Sequence, residues 1–353
     1  MVKTFTQTQA KSIPYISSGV IQAMLNDLHG EGLIIHHWDT DGLCSAALLL
    51  GYLKPRSPVN MCPTIGAFYL TEQEIDYARG FSYVIVADMA LPETDVQRLS
   101  EEARVVVFDH HHQKPIQGVE HINPVAHGAD AMDYPSCTWV VKEKLGLPLG
   151  MHVALGFIGD REHRIMENPR FKKVTEKYLA DDGVTFDEAL TLVGLIDSSY
   201  KVGDKAGAEE APRLLMDYTK PDDIKSNSRW RENMRLFQER LDEILAEPPE
   251  DRAGVLIKRL DTRYAVISAV TRKLAWGTRK DTVVINTGFF PGHDQLYSRS
   301  TRWDMQPMIR RAKELGFNAG GKEDVLGAIV PKEMTESFVE ELYRFFKDKM
   351  GEA

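Results

Sequence analysis

The chain has 353 residues, with 43 Lys+Arg against 52 Asp+Glu, 43% hydrophobic residues and 27% charged ones. That length suits two hydrophobic cores better than one, and the composition is ordinary for a folded water-soluble protein, which sets aside disordered and fibrous classes. The longest apolar runs, such as residues 46–50, fall far short of the roughly 18 residues a membrane span needs. No basic stretch followed by an apolar core opens the chain, so the expectation is a cytoplasmic protein with no membrane contact. Cys44, Cys62 and Cys137, odd in number and without a CxxC spacing, read as reduced core residues rather than as disulfides or a zinc site.

In chain order, Met1 to Gly30 is a polar lead-in with a short helix expected near Gly19 to His29. Leu33 to His36 reads as a buried strand. The polar turn His37 to Asp41 follows it, then a helix to Leu53, which the prolines of Lys54 to Pro58 stop. Val59 to Pro63 reads as a strand, Glu72 onward as a helix closed by Gly80, and Tyr83 to Asp88 as a strand. A helix from Pro92 to Ala103 opens with acidic residues at its positive end, and Arg104 to Asp109 is the fourth strand. Strands alternating with helices of about ten to fourteen residues predict βαβ units and a parallel sheet.

Gly118 to Pro135 reads as loop. Helices are expected from Ser136 to Leu145, Pro148 to Asp160, Pro169 to Asp181 and Phe186 to Asp197. Gly203 to Asn227 reads as connection, and Trp230 to Ala246 as a charged amphipathic helix. Residues 248–251, Pro-Pro-Glu-Asp, mark a domain boundary. Beyond it a compact α/β module is expected: strand Gly254 to Leu260, helix Tyr264 to Trp276, strand Thr282 to Gly288 and a strand containing Leu296 to Ser300. Helix Met305 to Leu315, a Gly-Gly turn, strand Val325 to Val330 and helix Thr335 to Lys349 complete it. The charge divides with the fold: residues 252–353 carry 18 Lys+Arg against 13 Asp+Glu, and residues 1–251 carry 25 against 39. An acidic part joined to a basic one fits an anionic substrate held by one domain and processed by the other; solvated surface explains the same asymmetry equally well.

The chemistry begins where the first strand ends. His37, Asp39 and Asp41 lie within five residues, and such a group at the end of a buried strand repels itself unless a cation compensates it. An isolated DxD has a blander explanation, in which Asp41 caps the helix and Asp39 sits in solvent. The arrangement recurs, however. One apolar run stops on Asp88, another on Asp109, His110, His111 and His112, and a helical one delivers Asp160 beside Arg161 and His163. Four apolar segments ending in Asp predict loops converging at one edge of a parallel sheet on a metal site. Neither a GxSxG nucleophile elbow nor a P-loop is present.

These motifs resemble the DHH phosphoesterase superfamily: HxDxDG at His37 to Gly42, the lone strand-end Asp88, the triplet Asp109-His110-His111, and Asp160. The distal module, with Ser298-Arg299-Ser300 and Gly320 to Pro331, is similar to the DHHA1 domain of the RecJ and nanoRNase branches. The resemblance implies a parallel-sheet DHH domain over residues 1–200, a helical linker over 201–251 and a smaller α/β DHHA1 domain over 252–353. It implies two Mn²⁺ per active site, with Mg²⁺ as the alternative ion. His37, Asp39 and Asp88 would hold one, and Asp41, Asp88, His110 and Asp160 the other. His111 would contact the scissile phosphate, and Asp109 would orient its neighbours. His36 and His112 have no family role and read as ordinary polar residues near the site.

One departure concerns the distal motif: the family's GGH is here Gly320-Gly321-Lys322. Glycine amides and a lysine charge still suit a phosphate, and Arg299 and Arg302 are the stronger anion-binding expectations. The reaction expected is removal of nucleotides from single-stranded DNA or short RNA. Hydrolysis of a linear or cyclic dinucleotide is the alternative, and a non-catalytic replication or repair partner is a third reading. A homodimer is also compatible with the resemblance.

Overall fold

The computed structural model describes residues 17–352, so residues 1–16 of the polar lead-in lie outside the described residues. The chain divides into two compact units, residues 1–197 with 205–228, and residues 198–204 with 229–353.

Unit 1 runs α1 (Ser18–Asn26), β1 (Gly32–His36), α2 (Thr40–Tyr52), β2 (Val59–Met61), α3 (Glu72–Ala78), β3 (Tyr83–Ala87), α4 (Glu93–Ser100), β4 (Arg104–Phe108) and β5 (Glu120–Ile122). It continues through α5 (Cys137–Leu145), α6 (Met151–Arg161), α7 (Pro169–Asp182) and α8 (Phe186–Ile196). The short α9 (Ser198–Lys201) belongs to unit 2, and α10 (Lys205–Asp217) and α11 (Pro221–Ser226) return to unit 1.

The sheet of unit 1 has the order β2-β1-β3-β4-β5 and every pairing is parallel. Parallel strands are covered on both faces and so read as continuous apolar runs; every residue of β1 and β3 is buried. One face, with Ile34, Ile85, Val106 and Phe108, packs against Ile21 and Leu25 of α1, Leu49 and Leu50 of α2, and Val140 and Val141 of α5. The chain leaves β1 for β2 on one side and returns to β3 on the other. The crevice beyond the carboxyl ends of β1 and β3 is therefore the switch point where open α/β sheets bind ligands.

Unit 2 comprises α12 (Ser228–Ala246), β6 (Glu250–Arg252), β7 (Val255–Leu260), α13 (Ile267–Thr278), β8 (Asp281–Phe290) and β9 (His293–Arg299). It ends with α14 (Gln306–Glu314), β10 (Asn318–Lys322), β11 (Val325–Pro331) and α15 (Lys332–Glu352). Its sheet has the order β10-β11-β9-β8-β7-β6 and is mixed, with β7 and β8 parallel. One face packs on α14 and α15 through Met308, Ile309, Phe338, Leu342 and Phe346. The other packs on α12 and α13 through Phe237, Leu241, Ile267 and Val270.

Three expectations need correction. Residues 203–227 are more than connection: they hold α10 and α11, and α10 buries a narrow face of Gly207, Ala208, Ala211, Pro212 and Leu215 in spite of its internal proline. The expected loop 118–135 contains β5, a three-residue edge strand on β4. Gly320 and Gly321 form no turn: they lie within β10, paired with Gly327 and Leu326 of β11.

Candidate metal centre

The sheet register assembles the site. His36 pairs with Ala87, and Ala87 with Phe108. The ladder runs one residue further, with His37 N donating to Ala87 O (3.1 Å), Asp88 N to Phe108 O (2.9 Å) and Asp109 N to Ile122 O (3.2 Å). His37, Asp88 and Asp109 therefore stand side by side just past three adjacent strands. Asp88 takes a left-handed backbone, φ 62°. That conformation is uncommon for a residue with a side chain, and such residues concentrate at functional sites.

Two sets of donors lie within ion-binding reach: His37, Asp39 and Asp88, and Asp88, His110 and His111, with ligand atoms no more than 4.8 Å apart inside each set. Asp88 belongs to both. Its Oδ2 is 3.8 Å from His37 Nδ1 and its Oδ1 is 3.4 Å from His110 Nε2. Asp39 Oδ2 lies 2.9 Å from His37 Nδ1, and His110 Nε2 is 3.7 Å from Asp41 Oδ2.

The HxDxD turn divides the work of its two aspartates in an unexpected way. Asp39 is the N-cap of α2 and accepts from Gly42 N at 3.0 Å. Asp41 is buried, and its two oxygens accept from the first amides of α5, Cys137 N at 2.6 Å and Thr138 N at 2.9 Å. A carboxylate on a helix N-terminus is favourably placed. Asp41 thereby ties α2 to α5 as well as facing His110. Asp160, near the end of α6, is outside both tight sets; its charge acts on Asp41 and His111, and it pairs with Arg161 at 3.3 Å.

Electrostatics mark the cluster as built for a cation. Burial, reinforced by the charges of Asp41 and Asp39, pushes Asp88 well above the usual carboxylate range. Burial likewise raises Asp41, with Asp160 and Asp39 adding to the rise and His110 opposing it. Asp39 is held low despite its burial because His37 lies beside it. Among the described residues, Nε2 of His37, both ring nitrogens of His110 and Oδ1 of Asp88 are buried without a hydrogen-bond partner, and Nδ1 of His37 faces only carboxylates. Buried polar atoms are nearly always satisfied, so orphans gathered around shared carboxylates fit a metal ion as the missing partner. Mixed imidazole and carboxylate donors suit a divalent ion.

The second histidine of the triplet is arranged differently. His111 Nδ1 lies 2.7 Å from Asp109 Oδ1, and the 44% exposure of its side chain leaves it within reach of a substrate. Burial opposes its protonation, but the Asp109 carboxylate more than offsets this and raises the imidazole to about 9. Asp109, fully buried, also accepts from Gln113 Nε2 at 2.6 Å and Asn123 Nδ2 at 3.3 Å.

Sequence reasoning missed several supporting residues. Asn123 also donates to His111 O at 2.9 Å, and Asp197 accepts from Thr40 N at 2.9 Å and Thr40 Oγ1 at 2.7 Å. Phe68 stacks on the His37 ring, centroids 5.8 Å apart. No motif marks these residues. His36 is fully buried, with Nδ1 2.8 Å from His37 O and Nε2 3.2 Å from Asn60 Nδ2, and His112 is exposed.

Apart from His111, the residues expected to bind anions belong to unit 2. Arg299 pairs with Asp324, and Arg302 Nη2 lies 2.5 Å from the buried Asp281. Gly320, Gly321 and Lys322 are exposed on β10. A side chain at Gly321, whose φ is 150°, would strike Val325 O at 1.9 Å, so the hairpin requires glycine there whatever it binds.

A parallel sheet with Asp and His gathered at its switch point defines an α/β protein with a candidate metal centre. Residues 32–179 match the DHH family, N-terminal domain. No curated protein matches it by sequence. Among solved structures it is similar to RecJ in complex with Mn²⁺ from Thermus thermophilus, with TM-score 0.65, 17% identity, 95% of this chain covered and 55% of that one. It thus spans about half of that protein's length. An exonuclease RecJ bound to manganese gives TM-score 0.63 and 17% identity, with 95% and 96% covered. The CDC45 of Entamoeba histolytica gives TM-score 0.50 and 10% identity, with 94% and 99% covered. At these identities the likeness is one of fold. No helix among the described residues is long and apolar enough to cross a membrane.

Proposed function

We propose that the chain is a divalent-metal-dependent phosphodiester hydrolase that removes nucleotides from an end of single-stranded DNA or short RNA. The observation that carries this reading is Asp88, a buried carboxylate shared by two donor sets, with ring nitrogens of His37 and His110 buried beside it without a hydrogen-bond partner. His37, Asp39 and Asp88 would hold one ion. Asp88 and His110, with Asp41 and Asp160 close by, would hold the second. Divalent ions bound there supply Lewis acidity toward a phosphate oxygen and acidify water near neutral pH.

The chain's own residues do the rest. Asp109 fixes His111 through Nδ1, so that Nε2 is the nitrogen left to donate to a phosphate oxygen. The charge of Asp109 keeps that imidazole protonated, and a charge-assisted hydrogen bond to phosphate is about twice as strong as a neutral one. Asn123 and Gln113 hold Asp109 in turn. Unit 2 is proposed as the DHHA1-like substrate-binding part.

Labelled DNA and RNA strands of graded length, incubated with Mn²⁺, Mg²⁺ or EDTA, test the reading. Mononucleotide release with Mn²⁺, slower release with Mg²⁺ and none with EDTA is the expected result. Cleavage of dinucleotides alone would move the substrate to the small-nucleotide class, and no cleavage of any phosphodiester would remove the enzymatic reading.

A further inference from the structure

Trp276 is 55% exposed, whereas Trp38, Trp139 and Trp230 are at most 5% exposed. Its helix, α13, is anchored by other residues, burying Ile267, Val270, Thr271 and Ala275. Packing does not explain a large indole left in water at this position. Two guanidiniums attend it: Arg272, one turn earlier on α13, lies 5.5 Å from the ring centroid, and Arg299 at the end of β9 lies 5.3 Å from it.

Positive charge gathers beside the ring. Arg299 pairs with Asp324, yet Arg272 is close enough that its charge, together with the larger effect of burial, depresses the Arg299 guanidinium. Arg299 Nε is buried without a hydrogen-bond partner among the described residues. From Ile267 to Lys280 the sequence carries Arg272, Lys273, Arg279 and Lys280 and no acidic residue. An acidic peptide would use these cations but has no need of the open indole. A nucleotide uses both, since every base offers a π-face and every linkage a phosphate.

We propose that Trp276, flanked by Arg272 and Arg299, is a stacking platform for a nucleobase of a single-stranded nucleic acid, with the two guanidiniums holding the adjoining phosphate. The proposal rests on the phosphodiester reading for the nature of its ligand. It lies wholly within unit 2 and adds a base-stacking ring to the anion contact expected of Arg299. It also separates Arg299 from Arg302, whose guanidinium is taken up by Asp281.

The test is equilibrium binding in EDTA, where no metal-dependent cleavage intervenes. A labelled deoxythymidine strand is compared with an abasic strand of the same length and charge, using the full chain and its Trp276→Ala, Trp276→Phe and Arg272→Ala variants. Base–aromatic stacking predicts that Trp276→Ala weakens the base-bearing strand about tenfold and leaves the abasic strand unchanged. Trp276→Phe should retain most of the affinity. Arg272→Ala should weaken both strands alike and flatten the salt dependence. Equal affinity of wild type and Trp276→Ala for the base-bearing strand, or an equal loss on both strands, overturns the platform. Cleavage with Mn²⁺ is scored separately on the wild type, so failure of the hydrolase reading appears there and not in the binding comparison.

Discussion

Each histidine near the sheet edge owes its role to the groups it faces. His121 is 5% exposed; Ile116 N donates to its Nδ1 at 3.0 Å, and Gln113 Nε2 lies 3.2 Å from its Nε2. A nitrogen that accepts an amide proton cannot carry one, and burial, with the charge of His127 adding to it, lowers this histidine to about 4 although Asp109 opposes the shift. A base whose folded value lies below its unfolded 6.5 contributes stability that is complete above pH 6.5 and is lost as the pH falls toward about 4. The expected loss over that window is about 2 to 3 kcal/mol. Denaturant midpoints between pH 7 and pH 4.5 check this, and His121→Asn should show a flatter profile than the wild type. An identical profile for the variant would mean that another group governs the acid limb.

At the scale of elements, glycines set how closely the site's helices approach. A Cβ at Gly42 would lie 2.5 Å from His37 Cβ and 2.6 Å from His37 O. One at Gly156, on α6, would lie 2.2 Å from Thr138 Oγ1 and 2.7 Å from Asp41 Oδ1. Gly42→Ala and Gly156→Ala should each cost about 1 to 3 kcal/mol through overpacking and should also weaken Mn²⁺ binding, because the displaced neighbours are proposed ligands or hold them. Thermal unfolding and Mn²⁺ titration of both variants check the pair. Stability lost with Mn²⁺ affinity intact would separate these glycines from the site.

The same close approaches explain what the sequence displayed and what it hid. Apolar runs ending in His37, Asp88 and Asp109 were legible because a buried parallel strand must be apolar and its end must face the crevice. The division of labour between Asp39 and Asp41 was not legible, since the amides that hold Asp41 come from α5, far along the chain. Helix α10 was hidden because Pro212 and small residues lower its helical signal, and packing against α2 supplies what propensity does not. The β10 glycines read as a turn because their requirement is tertiary: the opposing Val325 carbonyl excludes a side chain at Gly321.

On the scale of the whole molecule, all proposed metal ligands and the phosphate contact of His111 belong to one unit, and the proposed arginine and base contacts to the other. A fragment of residues 17–228 should therefore bind Mn²⁺ while binding single strands far more weakly than the full chain, as equilibrium dialysis and fluorescence anisotropy would show. Undiminished strand affinity in a folded fragment would place the anion contacts in unit 1.

The most direct test of the account is Mn²⁺-dependent hydrolysis of a labelled single strand by wild type and by Asp88→Ala, with circular dichroism confirming that both are folded. Asp88 is shared by both donor sets, and its removal also eliminates a buried carboxylate held far above its usual range. The account predicts a folded variant that binds little Mn²⁺ and has activity at least about a thousandfold lower, a barrier increase of about 4 kcal/mol. A folded Asp88→Ala protein that cleaves at a rate close to wild type would contradict the shared-carboxylate centre.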